Sequence, residues 1–285
     1  MDLYITSNCA VDKSIGAAVK HLVSAGYKRI ELSGGTDASQ FCEDDILSLH
    51  ESGVDFLVHH YFPPPLVPFV MNISSNVPEI KARTFELIDQ ALVFSKRLGK
   101  SHYSIHAGYA LDQIPKMTKA KIFQQVHTAP PIRAEAFYSN LVELSARIPD
   151  GFRIAIENGT PLTMSHLSTP DHFFRFLEFV QERPNLGLLI DLAHLRISAE
   201  HHKFSCEKLL EQLVSQYSNH ILELHVSAND GKVDSHDVCA PDSCEINFLF
   251  ENKDALKGVP VVMEWHAALG AKARGVFEKI ESLLT

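Results

Sequence analysis

The stretch LLIDLAH, residues 188–194, decides the reading of this chain. It closes an apolar, β-rich run, Leu186–Asp191, on a carboxylate. His194 follows three residues later at a strand-to-helix junction, close enough to Asp191 to serve one site. The same arrangement recurs outward in both directions. Runs predicted as strands are Leu3–Thr6, Arg29–Leu32, Val54–His59, His102–His106, Arg153–Glu157, Leu186–Asp191, Ile221–His225 and Pro260–Glu264. Amphipathic stretches separate them. Ile15, Ala18, Val19, Leu22 and Val23 follow helical spacing and stop at Gly26; Leu87, Ile88, Ala91, Leu92 and Leu98 stop at Gly99. Thr169-Pro170 reads as an N-cap and first helical residue ahead of Phe173, Phe174, Leu177 and Val180. Two further stripes run through Leu209–Val214 and Val276–Leu284.

Strands alternating with helices make repeated βαβ units and a parallel sheet. Eight units in 285 residues suit a single (β/α)8 TIM barrel occupying residues 1–285 as one α/β domain. An open doubly wound sheet is the alternative, but neither GxGxxG nor a P-loop is present. Two long connections, 61–78 and 108–131, follow strands and so fall on the face where barrel sites are built. The first begins with Pro63-Pro64-Pro65; the second carries Lys116, Lys119 and Lys121, for which a solvated loop is the better reading and cover for an anionic substrate the other.

Charge narrows the function classes. Lys and Arg number 26 against 35 Asp and Glu, a net charge of −9 that disfavours non-specific nucleic-acid binding. No apolar run approaches the roughly 18 residues of a membrane span, and MDLYITSN has no features of a signal peptide. Five scattered cysteines without CxxC fit a reducing, cytoplasmic compartment.

The 16 histidines carry the chemistry. Six predicted strands end on metal-ligand residues: His59, His106, Glu157, Asp191, His225 and Glu264. In a barrel the C-terminal strand ends converge on one mouth. Carboxylates crowded there repel, so one must hold a proton or a divalent cation must neutralise them. Asp234 and His236, alternate residues after His225, can both face the mouth if that segment is extended. A lone strand-end histidine is more often an ordinary hydrogen-bonded residue. His50, His102, His127, His166, His172, His201, His202 and His220 are read that way. Alternation turns His60 away from His59. Beside the cluster, Tyr61, Arg196, Trp265 and His266 are the candidate substrate-binding residues. For Arg196 the competing reading is a salt bridge, and for Trp265 it is packing.

These residues, within VHHYFPPP (58–65), SIHAG (104–108), IAIENG (154–159), LLIDLAH, ELHVSANDGKVDSH (223–236) and VVMEWH (261–266), resemble the xylose isomerase-like TIM barrels over essentially the whole chain. That superfamily holds sugar and sugar-phosphate isomerases and epimerases and also endonuclease IV. The resemblance implies a metal held by Glu157, Asp191, His225 and Glu264 in the isomerase branch, with Glu157 and Glu264 also acting as acid and base. It implies that His59, His106, His194, Asp234 and His236 would complete a three-zinc cluster of the endonuclease IV kind. Zinc or manganese, one to three ions per chain, is the expected cofactor. The chain departs from both branches. After DSH it reads Ala240-Pro241-Asp242-Ser243-Cys244-Glu245-Ile246-Asn247 in place of PGxGxID, and Gly159-Thr160-Pro161 follows Glu157-Asn158 in place of GQG.

The leading expectation is a metal-dependent isomerase or epimerase of a small sugar or sugar phosphate. The alternative is a zinc-dependent phosphoesterase with nucleic acid as partner, favoured by the imidazole-rich ligand set. A barrel that binds a ligand without catalysis is the third.

Overall fold

The computed structural model describes residues 1–9, 14–34, 38–112, 134–161, 165–266 and 271–284. Lys116, Lys119 and Lys121, and most of the second long connection, lie outside the described residues.

Eight parallel strands form one sheet: β1 Leu3–Thr6, β2 Arg29–Leu32, β3 Asp55–Val58, β4 His102–His106, β5 Arg153–Glu157, β6 Leu186–Asp191, β7 Ile221–Val226 and β8 Val261–Met263. β1 pairs with both β2 and β8, so the first and last strands are neighbours, as a barrel requires. The seam between β3 and β4 is closed just beyond the end of β3. There His59 bridges Ser104, and the His60 amide donates to the Ser104 carbonyl at 2.8 Å. Five expected boundaries move by a residue: β3 and β8 each start one position later and end one position earlier, before His59 and Glu264, and β7 runs one position further, to Val226.

The helices pack around this sheet: α1 Ile15–Ser24, α2 Glu43–Glu51, α3 Pro78–Arg97, α4 Ala134–Arg147, α5 Pro170–Gln181, α6 Leu192–His202, α7 Cys206–Tyr217, α8 Cys244–Asn252 and α9 Ala271–Leu284. Five of them, α1, α3, α5, α7 and α9, carry the apolar stripes read in the sequence. Thr169 caps α5 by accepting from the His172 amide, with Pro170 at the first helical position, where a missing N–H costs nothing. On α5, Phe173, Phe176, Leu177 and Val180 are fully buried. Strand alternation separates two cores. Leu3, Ile5, Phe56, Val58, Val261 and Met263 join the large core under the helices, while Tyr4, Leu57 and Val262 form a cluster of their own. At the strand N-termini this inner column ends in a polar floor, where Tyr4 donates to Asp55 at 2.5 Å and Lys100 reaches Asp55 at 2.7 Å.

The connection 61–78 has little regular structure yet is pinned. The Met71 amide donates to the Tyr61 hydroxyl at 2.6 Å. Asn72 bonds the Tyr109 and Leu111 carbonyls through Nδ2 and accepts from the Ser74 and Tyr109 amides at Oδ1. Gly108 permits this approach: its φ is +76°, and a Cβ there would stand 2.7 Å from Asn72 Oδ1.

Candidate metal centre

At the C-terminal mouth, β5, β6 and β7 present Glu157, Asp191 and His225, and Glu264 stands one residue past β8. All four are buried. His59 follows β3, His106 ends β4, and His194 lies in the first turn of α6. Among the described residues, ligand atoms gather in five overlapping sets within 4.8 Å of one another: His59, His106 and Glu157; Asp191, His225 and Glu264; His194, Asp234 and His236; Glu157, Asp191 and His194; and Glu31, His59 and His225, the last drawing in an acid of β2 not singled out in the sequence. All nine residues singled out in the sequence as metal ligands fall in this constellation.

Local structure aims each group. Asp191 is the N-cap of α6, and its Oδ1 accepts from the His194 amide at 2.7 Å. Its other oxygen, Oδ2, is buried with no hydrogen-bond partner. The His194 ring puts Nδ1 at 3.1 Å from Glu157 Oε1 and Nε2 at 3.1 Å from Asp234 Oδ2. His236 reaches the same Asp234 oxygen with Nε2 at 3.1 Å, and its Nδ1 donates to the Glu264 carbonyl at 3.1 Å. His59 and His106 approach Glu157 Oε2 at 3.5 and 3.2 Å.

The electrostatics suit a cation. Burial pushes the His59 imidazole down to about 4 and depresses His106, so both are neutral with a lone pair to give at pH 7. Burial drives the Asp191 carboxyl up to about 7; the charges of Glu264 and Glu157 add to this against the opposing pull of His194. One carboxyl of the crowd thus holds a proton, as the repulsion argument expects. Burial also opposes ionisation of Glu157 and Glu264, but the histidines around each outweigh it, holding Glu157 at about 2 and Glu264 below the ordinary range. Four buried atoms in the constellation make no hydrogen bond: Glu157 Oε2, Asp191 Oδ2, His225 Nδ1 and Asp234 Oδ1. A sealed, unpaired polar atom costs about 1–3 kcal/mol. Burial opposes protonation of the His225 imidazole, but the charges of Glu31 and Glu264 outweigh it and push the ring well above its ordinary value. Three buried carboxylate oxygens beside that ring make a site whose excess negative charge a divalent cation fits, and the oxygen–imidazole donor set fits zinc or manganese chemistry.

Several expectations are corrected. His60 does not point away. Its φ of +45° breaks strand alternation, and its ring stacks on His106 at 3.9 Å, buried beside the site. Asp234 and His236 meet, but not by extended alternation, because His236 sits at φ +50°. Trp265 is fully buried, edge-on to Phe277 of α9, so packing is its role. Arg196 is engaged by Glu245 at 3.0 Å, the salt bridge weighed above. Tyr61 lies within the 61–78 connection with its ring against His60, and the exposed His266 lies with its ring 4.5 Å from that of His236.

Three residues of the inner column were not found from sequence. Glu31 of β2 and Glu223 of β7 are fully buried, and His102, read there as ordinary, pairs with Glu223 at 2.6 Å. Glu31 and Glu223 both face His225 Nε2. The available signal was an isolated acid inside each of two apolar strands, RIEL and ILELHV.

A parallel barrel with a histidine–carboxylate cluster at its mouth is the architecture of a TIM-barrel protein whose candidate site lies at the C-terminal strand ends. The chain belongs to the xylose isomerase-like TIM barrel family, whose model matches residues 19–276. No protein of curated function matches it. Among solved structures it is similar to a D-tagatose 3-epimerase-like protein, at 18% identity and TM-score 0.74, covering 100% of this chain and 98% of that one. It is also similar to D-psicose 3-epimerase with D-tagatose from Clostridium cellulolyticum H10, at 14% identity and TM-score 0.67, covering 100% and 99%. A third is the IOLI protein with a bound zinc atom, at 18% identity and TM-score 0.68, covering 100% and 98%. At these identities the likeness is one of fold.

Proposed function

We propose that the protein is a divalent-metal-dependent isomerase or epimerase of a small sugar or sugar phosphate, and that Glu157, Asp191, His225 and Glu264 hold the ion. The observation that carries this reading is the convergence of buried Glu157, Asp191, His225 and Glu264, with Glu157 Oε2 and Asp191 Oδ2 making no hydrogen bond, at the mouth of a barrel folded like sugar epimerases. The chemistry such an ion supplies is polarisation of a carbonyl whose neighbouring oxygen it also binds. Glu157 and Glu264 come from strands separated by β6 and β7, so two carboxylates approach a substrate from different parts of the rim. Their surroundings keep them ionised, the form required to take the proton from the carbon beside a carbonyl. His266 and Tyr61 stand at the rim as substrate contacts. We read residues 1–285 as one domain, because a single sheet runs from Leu3 to Met263. Cys42, Cys206, Cys239 and Cys244 are free thiols, which suits the cytoplasm. Among the described residues, no helix is long and apolar enough to cross a membrane.

The test is solvent exchange. Metal-loaded protein is incubated with D-tagatose, other ketoses and ketose phosphates in D2O, and deuterium at the carbon next to the carbonyl is followed by NMR. Exchange that needs the ion is expected for at least one sugar. Absence of exchange across the whole panel with loaded protein sinks the reading.

A second reading has its own observation. Three separate ligand triads, rather than one tetrad, support several zinc ions and phosphoester hydrolysis. The net charge of −9 weighs against a nucleic-acid substrate. Two or three zinc ions per chain, together with cleavage of a phosphodiester, would favour it over the isomerase.

A further inference from the structure

We propose that Glu31, Glu223 and His102 form a buried anchor that fixes the His225 ring, with Nε2–H turned into the barrel and Nδ1 turned to the cage. The proposal rests on the metal-centre reading above and assigns positioning residues to it.

His225 Nε2 lies 3.1 Å from Glu31 Oε2 and 3.3 Å from Glu223 Oε1. All three side chains are fully buried. Glu223 faces two ring nitrogens, His102 Nε2 and His225 Nε2, and an ionised carboxylate there has only lone pairs to offer, so the His225 nitrogen facing it is a donor. Nε2 therefore carries hydrogen. The opposite nitrogen, Nδ1, makes no hydrogen bond and lies 3.5 Å from Glu264 Oε2, on the side of the cage. Only one orientation of the ring satisfies both ends. A ring turned over would put a C–H where Nε2 stands, and the opposite tautomer would put a bare lone pair against two carboxyl groups.

The anchor extends one step further. Glu223 Oε2 pairs with His102 Nε2 at 2.6 Å. His102 is the first residue of β4 and reaches Glu223 on β7 from across the barrel. Glu223 and His225 are two apart on one strand and share its inner face. His102 is the partly exposed end of this chain, with 16% of its side chain accessible, and it touches none of the cage residues in the contacts above. It holds Glu223 from the far side by a hydrogen bond. Carboxylates behind metal-binding histidines commonly set ring orientation and ligand basicity, and their loss lowers metal affinity about 10–100-fold.

The experiment uses the full-length chain stripped of metal, then titrated with Co2+ and Zn2+ against a chromophoric chelator. Variants are Glu223→Gln, Glu31→Gln and His102→Gln. Weaker binding by tenfold or more and an altered visible spectrum of the cobalt form are expected for both glutamate variants, with a smaller loss for His102→Gln. Circular dichroism of the metal-free proteins checks that each is folded. Should Glu223→Gln not fold, His102→Gln and the wild type still decide. In the zinc-loaded wild type, long-range 1H–15N NMR is expected to find His225 bound through Nδ1 and protonated at Nε2. Coordination through Nε2 overturns the anchor. So do affinities within twofold of wild type with unchanged cobalt spectra. Both outcomes leave the metal centre standing. A wild type that binds neither ion overturns the metal centre itself and the anchor with it.

Discussion

Asp191 concentrates the logic of the site in one side chain. One oxygen caps a helix, and the other is left buried and unpaired toward the mouth. The cap fixes the carboxylate's direction, so a local rule of helix initiation doubles as aim. Glu157 and Glu264 are expected to carry proton transfer. Glu157→Gln and Glu264→Gln should each slow metal-dependent deuterium exchange by about 10³-fold, within the usual range for loss of a general base. Residual exchange within tenfold of wild type would assign that chemistry elsewhere. At the opposite end, Asp55 offers a test of folding free of the metal question. Burial raises its carboxyl, but hydrogen bonds from Lys100 and Tyr4 outweigh this and hold it below its ordinary 3.8. A depressed folded value means the group adds stability above the unfolded value and loses it as pH falls through the folded one. Asp55 is about a third exposed, so the contribution is at most about 1 kcal/mol. Urea unfolding at pH 6 and pH 3 should show Asp55→Asn losing part of the pH dependence seen in wild type.

At the scale of elements, the strand–helix junction is the unit that repeats. An apolar strand ends, a ligand-type residue stands at or just past the end, and a capped helix follows. Two substitutions separate the rules. Thr169→Ala removes the α5 cap and should cost about 1 kcal/mol by denaturant unfolding. Gly187→Ala in β6 should cost more, on the order of 1–3 kcal/mol, because the added Cβ would meet Leu222 Cγ at 2.5 Å and the His220 carbonyl at 2.7 Å. Leu222 is itself buried against Ala155 and Leu189, and the carbonyl is backbone, so neither gives way cheaply. If the alanine at 187 proves as mild as the one at 169, β6 and β7 are less tightly apposed than the distances imply.

Over the whole molecule, the barrel concentrates imidazoles and carboxylates that came from positions up to 205 residues apart in the chain, His59 to Glu264. The apo cage is costly to fold around, with unpaired acceptors and a carboxyl held near 7. Metal binding to the folded state alone must therefore stabilise it. Zinc at about 100 times its dissociation constant adds about 2.7 kcal/mol, worth about 5 °C or more in melting temperature. Calorimetry with and without chelator measures the shift. No change would mean that the cage takes no zinc.

Much of this was legible in the chain itself, for a physical reason. Strand polarity, helix stripes and the Thr169-Pro170 start are local, and local periodicity fixes which residues are buried. The rule that parallel strand ends share one rim then brings His106, Glu157, Asp191 and His225 together without coordinates. What needed the tertiary structure was anything set by backbone exceptions or by contacts across the barrel. His60 turns toward the site because its φ is positive, a deviation that no alternation rule contains. Trp265 proved to be core because α9 returns to cover it. Glu31 meets His225, and His102 meets Glu223, only because a closed barrel places β2, β4 and β7 around one axis. Their pairing is a property of closure, and single strands carry no record of what stands opposite.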